Sequence, residues 1–232
     1  MKILLIDTCG AAGSVALADT ACSPVVIDST SLPGRSAAER LVPSIRSLTA
    51  GSGINLHSLD AVAVVHGPGS FTGVRVGLSA AKGLCHALNL PLVAISRLAV
   101  LASLAQPSTD HIHALLDAGR GEFYSGLYAS GDCLHESLVT RDQLLASLDH
   151  ANQSREVQPG FVVCEQVVAQ SLAALAPQLV AEPTAADALP LALARIRQRA
   201  FDDPATIDAN YLRRTDAEIF AKPIAAAVPP PQ

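Results

Sequence analysis

The residues best placed to do chemistry lie in the glycine-rich loop HGPGSFTG, residues 66–73, between an apolar strand and a long helix. Glycines before a helix N-terminus can present backbone N–H groups to a phosphate. The loop lacks the lysine and Ser/Thr of G-x-x-x-x-G-K-[ST], and its spacing is not G-x-G-x-x-G. Ser70 is not in a G-x-S-x-G elbow, because Pro68 takes the first glycine's place, and His66 alone defines no catalytic pair. We interpret the loop as a tight turn into a closely packed helix.

Two further groups of polar residues could bind ligands. His111 and His113 would share one face of a strand, as a metal site requires, but no third ligand is evident, and such a pair is more typical of surface residues. Arg195, Arg197 and Arg199 form a basic cluster on a late helix, where a solvated face is the simpler interpretation than an RNA patch. We therefore predict no metal site.

The composition is that of a well-packed globular protein. Hydrophobic residues make up 50% and charged residues 16% of the 232 positions, enough for one large core or two modest ones. Aromatic residues are scarce at 3%. The net charge is −5, so the chain lacks the excess of positive charge that is typical of a free-standing nucleic-acid-binding protein. The five cysteines lack the spacing that is typical of zinc ligands, and we interpret them as reduced core residues. With no signal sequence and no membrane span, the sequence predicts a cytoplasmic protein.

The elements that position these residues occur in a repeated order. Three strands, a helix, a strand and a second helix follow one another in residues 1–105, and the same order returns in residues 106–220. At the first helix, Ser36 and Glu39 are typical of a capping box. Two such halves are the plan of the actin, hexokinase and Hsp70-like ATPases, so we predict this duplicated α/β fold, with two lobes, each a mixed sheet flanked by helices, and a ligand cleft between them. Residues 221–232 have little to bury and are predicted to be a disordered tail.

Two turns of the chain resemble the phosphate-binding turns of that fold. The first hairpin of Hsp70-like ATPases holds phosphate through a D-x-G-x-T pattern, of which this chain keeps Asp7 but shifts the glycine and loses the hydroxyl. The second half begins with Asp117, Gly119 and Gly121, which resemble the second phosphate turn. No adenosine-type glycine pair follows late in the chain. These four residues are a candidate vestigial nucleotide site, and we do not favour hydrolysis by this chain alone.

The helix that follows the glycine-rich loop has three faces. An apolar stripe and a polar stripe are separated by a face of Gly73, Gly77, Ala80 and Ala87, which offers little beyond backbone. Each interior glycine costs a helix about 1 kcal/mol relative to alanine, so a closely packed neighbour must offset the cost. The sequence leaves open whether that neighbour belongs to this chain or to a partner.

Several motifs resemble the TsaB (YeaZ) family almost from end to end. The string GPGSFTGVRVG at 67–77 is highly specific, and IDT at 6–8, SVAL at 14–17, DA-x-RGE at 117–122 and YLR at 211–213 support it. The resemblance implies a catalytically silent relative of the TsaD enzyme with the duplicated actin-like fold. Such a protein acts in the bacterial synthesis of N6-threonylcarbamoyladenosine, next to the tRNA anticodon.

The resemblance also implies partners. The family pairs with a TsaD-like catalytic subunit, which a TsaE-like ATPase joins, so ATP and a metal ion are expected on those partners and no cofactor on this chain. Contact with tRNA is expected only indirectly, and the lone chain is expected to form a homodimer through the same helices as the heterodimer. The partner surface maps onto two helices of the first half. Its predicted residues are Glu39, Val42, Arg46, Thr72, Gly73, Val76, Gly77, Ala80 and Leu84.

The chain departs from the family pattern at two places. The family usually has His-Ser before the glutamate of the first helix, where this chain has Ala37 and Ala38, and it usually has an arginine where Gly119 stands. Two other functions stay open. An ATP-dependent kinase or transferase of the same fold, acting on its own, would need Asp7 and the Asp117 turn to bind Mg-ATP. A peptidase would depend on Ser70, for which no triad can be assembled.

Overall fold

The structure is a computed structural model that describes residues 1–34, 36–106, 110–153 and 159–213. The strands are β1 (Lys2–Asp7), β2 (Gly13–Asp19), β3 (Val26–Leu32), β4 (Ala61–Val65), β5 (Leu92–Ile95), β6 (His111–Gly119), β7 (Glu122–Ala129), β8 (Asp132–Thr140), β9 (Gly160–Val163) and β10 (Gln178–Leu179). The helices are α1 (Ala37–Gly51), α2 (Phe71–Leu88), α3 (Arg97–Ser103), α4 (Arg141–Gln153), α5 (Gln166–Ser171) and α6 (Leu189–Arg197). The predicted tail at 221–232 lies outside the described residues. Within them, no helix combines the length and the hydrophobicity needed to cross a membrane.

The described strands form two mixed sheets of five strands with the same topology. The first has the order β3-β2-β1-β4-β5 and the second the order β8-β7-β6-β9-β10. In both, three antiparallel strands continue into parallel ones. We call the first sheet with its helices the N lobe and the second the C lobe. This duplicated arrangement is the fold of the actin, hexokinase and Hsp70-like ATPases, and it confirms the fold predicted from the order of elements.

The N-lobe sheet is covered on both faces, which explains its apolar central strands. Every residue of β4 is buried, as expected for a parallel strand between two layers. On one face, Leu41 and Ile45 of α1 and Leu78 of α2 pack on the sheet in a single core cluster. Their spacing places them on the buried stripe of each helix, so the helical periodicity read from the sequence is the one that the core uses.

The other face of the N-lobe sheet is covered by a segment that the sequence places in the second half. Leu189 and Ala192 of α6 pack against Ile3 and Leu5 of β1. The backbone N–H of Ala94, in β5, donates to Asp202 just beyond α6 at 2.7 Å. The assignment of all of residues 106–220 to a C-terminal lobe is therefore corrected: the chain returns to the N lobe after β10. An apolar helix face does not reveal which of two sheets it covers.

Helices α1 and α2 of the N lobe begin differently. At α2, the Ser70 hydroxyl accepts from the Gly73 N–H at 3.3 Å, and the helix ends at Asn89 in a left-handed conformation with φ 54°. At α1, the Ser36 hydroxyl instead donates to the Pro33 carbonyl at 2.6 Å and caps no backbone N–H. The predicted capping box with Glu39 is wrong, because the serine turns back toward the preceding turn.

One carboxylate contacts both lobes and the C-terminal segment. Glu136 of β8 accepts hydrogen bonds from the hydroxyl of Ser96, at 2.6 Å, and from the hydroxyl of Tyr128. Its second oxygen accepts from the side-chain amide of Asn210 at 2.6 Å. Ser96 follows β5 in the N lobe, whereas Tyr128 lies on β7 in the C lobe. Glu136 therefore ties the junction between the lobes to the C-terminal segment.

Candidate functional site

Thr8, at the end of β1, fills the glycine face of α2. Its hydroxyl donates to the Gly73 carbonyl at 2.6 Å. A Cβ on Gly73 would lie 1.9 Å from the Thr8 carbonyl oxygen, and a Cβ on Gly77 would lie 2.3 Å from the Thr8 hydroxyl. Both glycines are buried. The close neighbour is thus the chain's own first strand, and the prediction that Gly73 and Gly77 contact a partner is corrected on that ground.

The other predicted interface residues share one surface on the two helices, which we call the α1–α2 face. Its exposed members are Glu39, Val42, Arg46 and Thr72, and its half-buried members are Val76, Ala80 and Leu84. Val42 is 52% exposed, a large fraction for a valine on a helix that packs against the core. Gly83 lies on the exposed side of α2, and a Cβ there would meet open space. Gly83 is therefore the glycine of α2 that leaves room for a neighbour from outside.

The first hairpin turn, residues 8–13, is closed by a carboxylate of the same chain. Oε1 of Glu182 accepts from the Ala11 N–H at 2.9 Å and pairs with the Arg97 guanidinium at 2.9 Å. A Cβ on Gly10 would lie 2.1 Å from the same oxygen, so the glycine leaves the space that Glu182 occupies. An anion from within the chain therefore holds the backbone N–H that a phosphate would use.

The charges beneath this turn are buried together. Asp7 lies at the end of β1, and its carboxylate accepts from the Cys9 N–H at 2.8 Å. Burial raises the pKa of Asp7, and the positive charge of Arg97 acts in the opposite direction. Arg97 is only 5% exposed, and burial of a charge is unfavourable unless opposite charges lie close to it. The carboxylates of Asp7 and Glu182 compensate for the burial of its guanidinium.

The second turn, residues 117–122, is open where the first is closed. The exposed Asp117 accepts from the Gly119 N–H at 2.8 Å. Gly119 and Gly121 have φ values of 71° and 77°, which favour glycine, and a Cβ on either would meet no atom within 4 Å. The contact to this turn comes from a cation: the Arg213 guanidinium donates to the Ala118 carbonyl at 2.8 Å and to the Gly119 carbonyl at 3.4 Å, and the turn's N–H side stays open.

A cavity of about 430 Å³ lies between the two turns. Its charged lining residues are Arg97, Asp117, Glu165 and Glu182. Burial raises the pKa of Glu165. With three carboxylates facing one guanidinium, the cavity disfavours a phosphate unless cations accompany it. The described residues contain no group of three or more His, Cys, Asp or Glu side chains arranged to hold a metal ion.

Of the predicted histidine pair, His111 is half-buried, and His113 does not lie on the surface as expected. His113 is buried, with Nε2 2.6 Å from the Ser125 hydroxyl and its ring stacked on Phe161 at 5.5 Å. Burial lowers the pKa of His113 to about 4. His113 is a core residue of the C lobe, because the face of β6 that it shares with its neighbours is covered by a further layer.

Three further polar candidates, His66, Ser70 and Arg195, are engaged in structural contacts. Nδ1 of His66 lies 2.9 Å from the Ile95 carbonyl, while the Ser70 hydroxyl caps α2, so the two side chains do not form a nucleophile and base. In the basic cluster, Arg195 pairs with Asp202 at 3.1 Å. These contacts explain His66, Ser70 and Arg195 without a peptidase or RNA-binding role, while Arg197 and Arg199 are exposed on α6 and just beyond it.

Sequence reasoning missed the two residues that define the first turn. Glu182 lies 171 positions from Ala11, and Arg97 is the first residue of a short apolar helix. A lone glutamate before a proline carries no signal for such a contact. The only available hint was negative: the first turn had lost the hydroxyl of its phosphate-binding pattern.

Comparison with known proteins places the chain among tRNA-modification proteins. Residues 31–221 match the family described as "TsaD: tRNA N6-adenosine threonylcarbamoyltransferase". The chain is 29% identical to the tRNA threonylcarbamoyladenosine biosynthesis protein TsaB of Haemophilus influenzae, over 92% of this chain and 94% of that protein. It is 34% identical to the protein of the same name from Bacillus subtilis, over 60% of each chain, which is less than two thirds of that relative's length.

A solved structure agrees with these relatives. The chain superposes on a Pseudomonas aeruginosa protein described as having similarity to peptidase YEAZ, with a TM-score of 0.74 and 28% identity. The match covers 91% of this chain and 99% of that one. The similarity therefore extends over both lobes.

Proposed function

Because the chain belongs to the TsaB (YeaZ) family, within the larger family that the TsaD match defines, we propose that it is a non-catalytic subunit that binds and activates a TsaD-like threonylcarbamoyltransferase. The TsaB relatives are named for the biosynthesis of threonylcarbamoyladenosine in tRNA. The chemistry then takes place on the partner, which supplies the metal ion, while a TsaE-like ATPase supplies ATP turnover. This chain contributes a surface for its partner and acts in the cytoplasm.

The observation that carries the proposal is the Glu182 carboxylate seated on the first turn. An active ATPase of this fold must leave that turn free for a phosphate. Here Glu182 takes the Ala11 N–H, and Arg97 neutralises Glu182 rather than a nucleotide. A subunit that has closed its own phosphate turn is suited to work as a scaffold.

The α1–α2 face supports binding of a partner. Val42 is exposed on α1 and Val76 and Ala80 are half-buried on α2, while the charged Glu39 and Arg46 lie on the same helix as Val42. An apolar centre with a charged rim is the usual anatomy of a protein interface. A standard interface of about 1,600 Å² in total needs little more than two such helices. A homodimer through the same face would compete with the heterodimer.

The proposal is tested with a pair of matched valine variants. Val42→Arg should weaken binding to the TsaD-like subunit by at least about tenfold, because a charge would be desolvated in the interface, and tRNA modification should fall with it. The control is Val167→Arg on α5, since Val167 is 61% exposed in the C lobe. Light scattering after size exclusion measures the complex, and a reconstituted assay measures threonylcarbamoylation.

A second variant separates surface from fold. Gly83→Leu adds bulk to the α1–α2 face where the chain itself offers no obstacle. It should keep the unfolding midpoint of the lone chain and still reduce complex formation. Full complex formation by both Val42→Arg and Gly83→Leu, or equal losses in Val167→Arg, would show that the partner binds elsewhere.

A further inference from the structure

A second cavity lies on the other side of the glycine-rich loop. It has a volume of about 410 Å³ and lies between the start of α2, the second turn and the C-terminal segment. We call it the aromatic pocket, after its lining residues Phe71, Tyr124 and Tyr211, with Arg120 and Arg213 beside them. Its size is within the range of small-molecule sites, which begins near 300 Å³.

The aromatic rings are concentrated here in a chain that has few. The sequence contains three tyrosines and five phenylalanines, and two of those tyrosines line this pocket. Phe71 is 49% exposed and Tyr211 is 39% exposed, so neither ring serves mainly to fill a core. Their centroids are 5.8 Å apart. The Arg75 guanidinium carbon lies 3.4 Å from the Phe71 centroid and holds that ring in place. Together they form a platform on which a planar group can stack.

The charge of the aromatic pocket is opposite to that of the cavity between the turns. None of its lining residues is acidic, and two are arginines. Arg213 is fixed by Glu122 at 2.6 Å and by the Ala118 carbonyl at 2.8 Å. Arg120 is exposed, has φ 57° in the second turn, and makes no ion pair within the described part of the chain. A free guanidinium thus stands beside a stacking platform.

We propose that the aromatic pocket binds a nucleoside 5′-monophosphate unit, with the base stacked on Phe71 and Tyr211 and the phosphate against Arg120. Base stacking on aromatic side chains and phosphate pairing with arginine are the two contacts by which proteins hold nucleotides without reading sequence. The unit is either a free nucleotide or a residue of single-stranded RNA, which share this chemistry. The inference concerns the lone chain and does not depend on the proposed partner or on the α1–α2 face.

The test uses 5′-AMP, adenosine and a four-residue oligoadenylate RNA, each titrated into the full chain by calorimetry. Because the sequence has no tryptophan, tyrosine emission reports on Tyr124, Tyr128 and Tyr211, and stacking should quench it. Tyr211→Leu should weaken binding of 5′-AMP about tenfold through loss of stacking. Arg120→Gln should weaken binding of 5′-AMP but leave binding of adenosine unchanged, since only the phosphate contacts the guanidinium.

Two matched controls lie outside the pocket. Phe201→Leu removes an aromatic ring that is 43% exposed, and Arg197→Gln removes an exposed arginine of α6. Tighter binding of the RNA than of 5′-AMP, lost in the same variants, identifies RNA as the source, and equal binding identifies the free nucleotide. The proposal would be overturned if neither 5′-AMP nor the RNA saturated the chain at millimolar concentration, or if the control variants lost as much affinity as the pocket variants. Because no partner is present, neither result bears on the test with Val42→Arg.

Discussion

The first and second hairpin turns hold equivalent positions in the two lobes, at the β1–β2 and β6–β7 connections, yet their surroundings are opposite. The first turn is sealed: Thr8 packs against α2, and Glu182 takes the Ala11 N–H. The second is open: Asp117 is exposed and no atom lies within 4 Å of a Cβ on Gly119 or Gly121. The two lobes therefore share one strand order, while the turns differ in length and in chemistry: five residues separate β1 from β2, and two separate β6 from β7.

The difference teaches where a fold constrains a chain and where it does not. Strand order follows from sheet pairing, which is the same in both lobes. The contacts of each turn come from distant segments, which the two lobes do not share. We expect a nucleotide in this fold to need both turns at once, and Glu182 is seated on one of them.

The largest effect is expected from alanine in the sealed region. Gly73→Ala should lower the free energy of unfolding by about 3 kcal/mol, because its Cβ would meet the Thr8 backbone and the helix would have to shift. At the open turn, Gly121→Ala should cost only about 1 kcal/mol, the strain of a positive φ. Urea denaturation measures both.

Gly83→Ala is the control within the same helix. It should raise the free energy of unfolding by about 1 kcal/mol, since alanine is the better helix former and the site is open. If Gly73→Ala costs no more than Gly121→Ala, the sealed and open descriptions of the two turns are wrong.

The second prediction uses the buried ionisable groups of the two lobes, whose pKa values move in opposite senses. Burial lowers the pKa of His113 from 6.5 to about 4, so the native C lobe binds fewer protons than the unfolded chain and loses stability as the pH falls from 6.5 toward 4. Burial raises the pKa of Asp7, so the native N lobe binds more protons at Asp7 than the unfolded chain does, and this group favours the native state as the pH falls. His113→Gln should therefore lose about 2 kcal/mol less than the wild type between pH 7 and pH 4.

Glutamine at position 113 keeps a partner for Ser125, so the variant removes the proton site with little change in packing. The matched control is His57→Gln, because His57 is exposed. Chemical denaturation at a series of pH values provides the measurement. Parallel pH profiles for the wild type and His113→Gln would contradict the buried neutral histidine.

The smallest effect is expected for Mg-ATP and the first turn. Because Glu182 already occupies that turn, Asp7→Ala should change any binding of Mg-ATP to the lone chain by less than about twofold in calorimetry. Binding that Tyr211→Leu reduces and Asp7→Ala does not belongs to the aromatic pocket. Strong binding abolished by Asp7→Ala would instead favour an ATP-dependent kinase or transferase.

Much of the fold was predictable because it depends on local patterns. The apolar stripes of α1 and α2 and the two runs of three strands, helix, strand and helix follow from periodicities of 3.6 and 2 residues. The glycine-rich loop was correctly interpreted as a tight turn, since Ser70 caps α2 and Gly73 packs closely. These features depend on residues near one another in the chain.

The candidate sites were less predictable because they depend on distant contacts. The bare face of α2 was recognised, but its neighbour Thr8 is 65 residues away from Gly73. Glu182 and the three rings of the aromatic pocket come from separate parts of the chain. His113 looked like a surface residue because alternation along β6 does not show which face is covered. Periodicity identifies a buried side and leaves its neighbour undetermined.

The Glu136 carboxylate has a mechanical consequence. A two-lobed chain can open and close about the connection between its halves, yet here such a hinge motion would first have to break the hydrogen bonds that Ser96 and Asn210 donate to Glu136. The chain is thereby preorganised, and docking costs it little conformational entropy. A rigid template of this kind can impose its geometry on a more mobile neighbour.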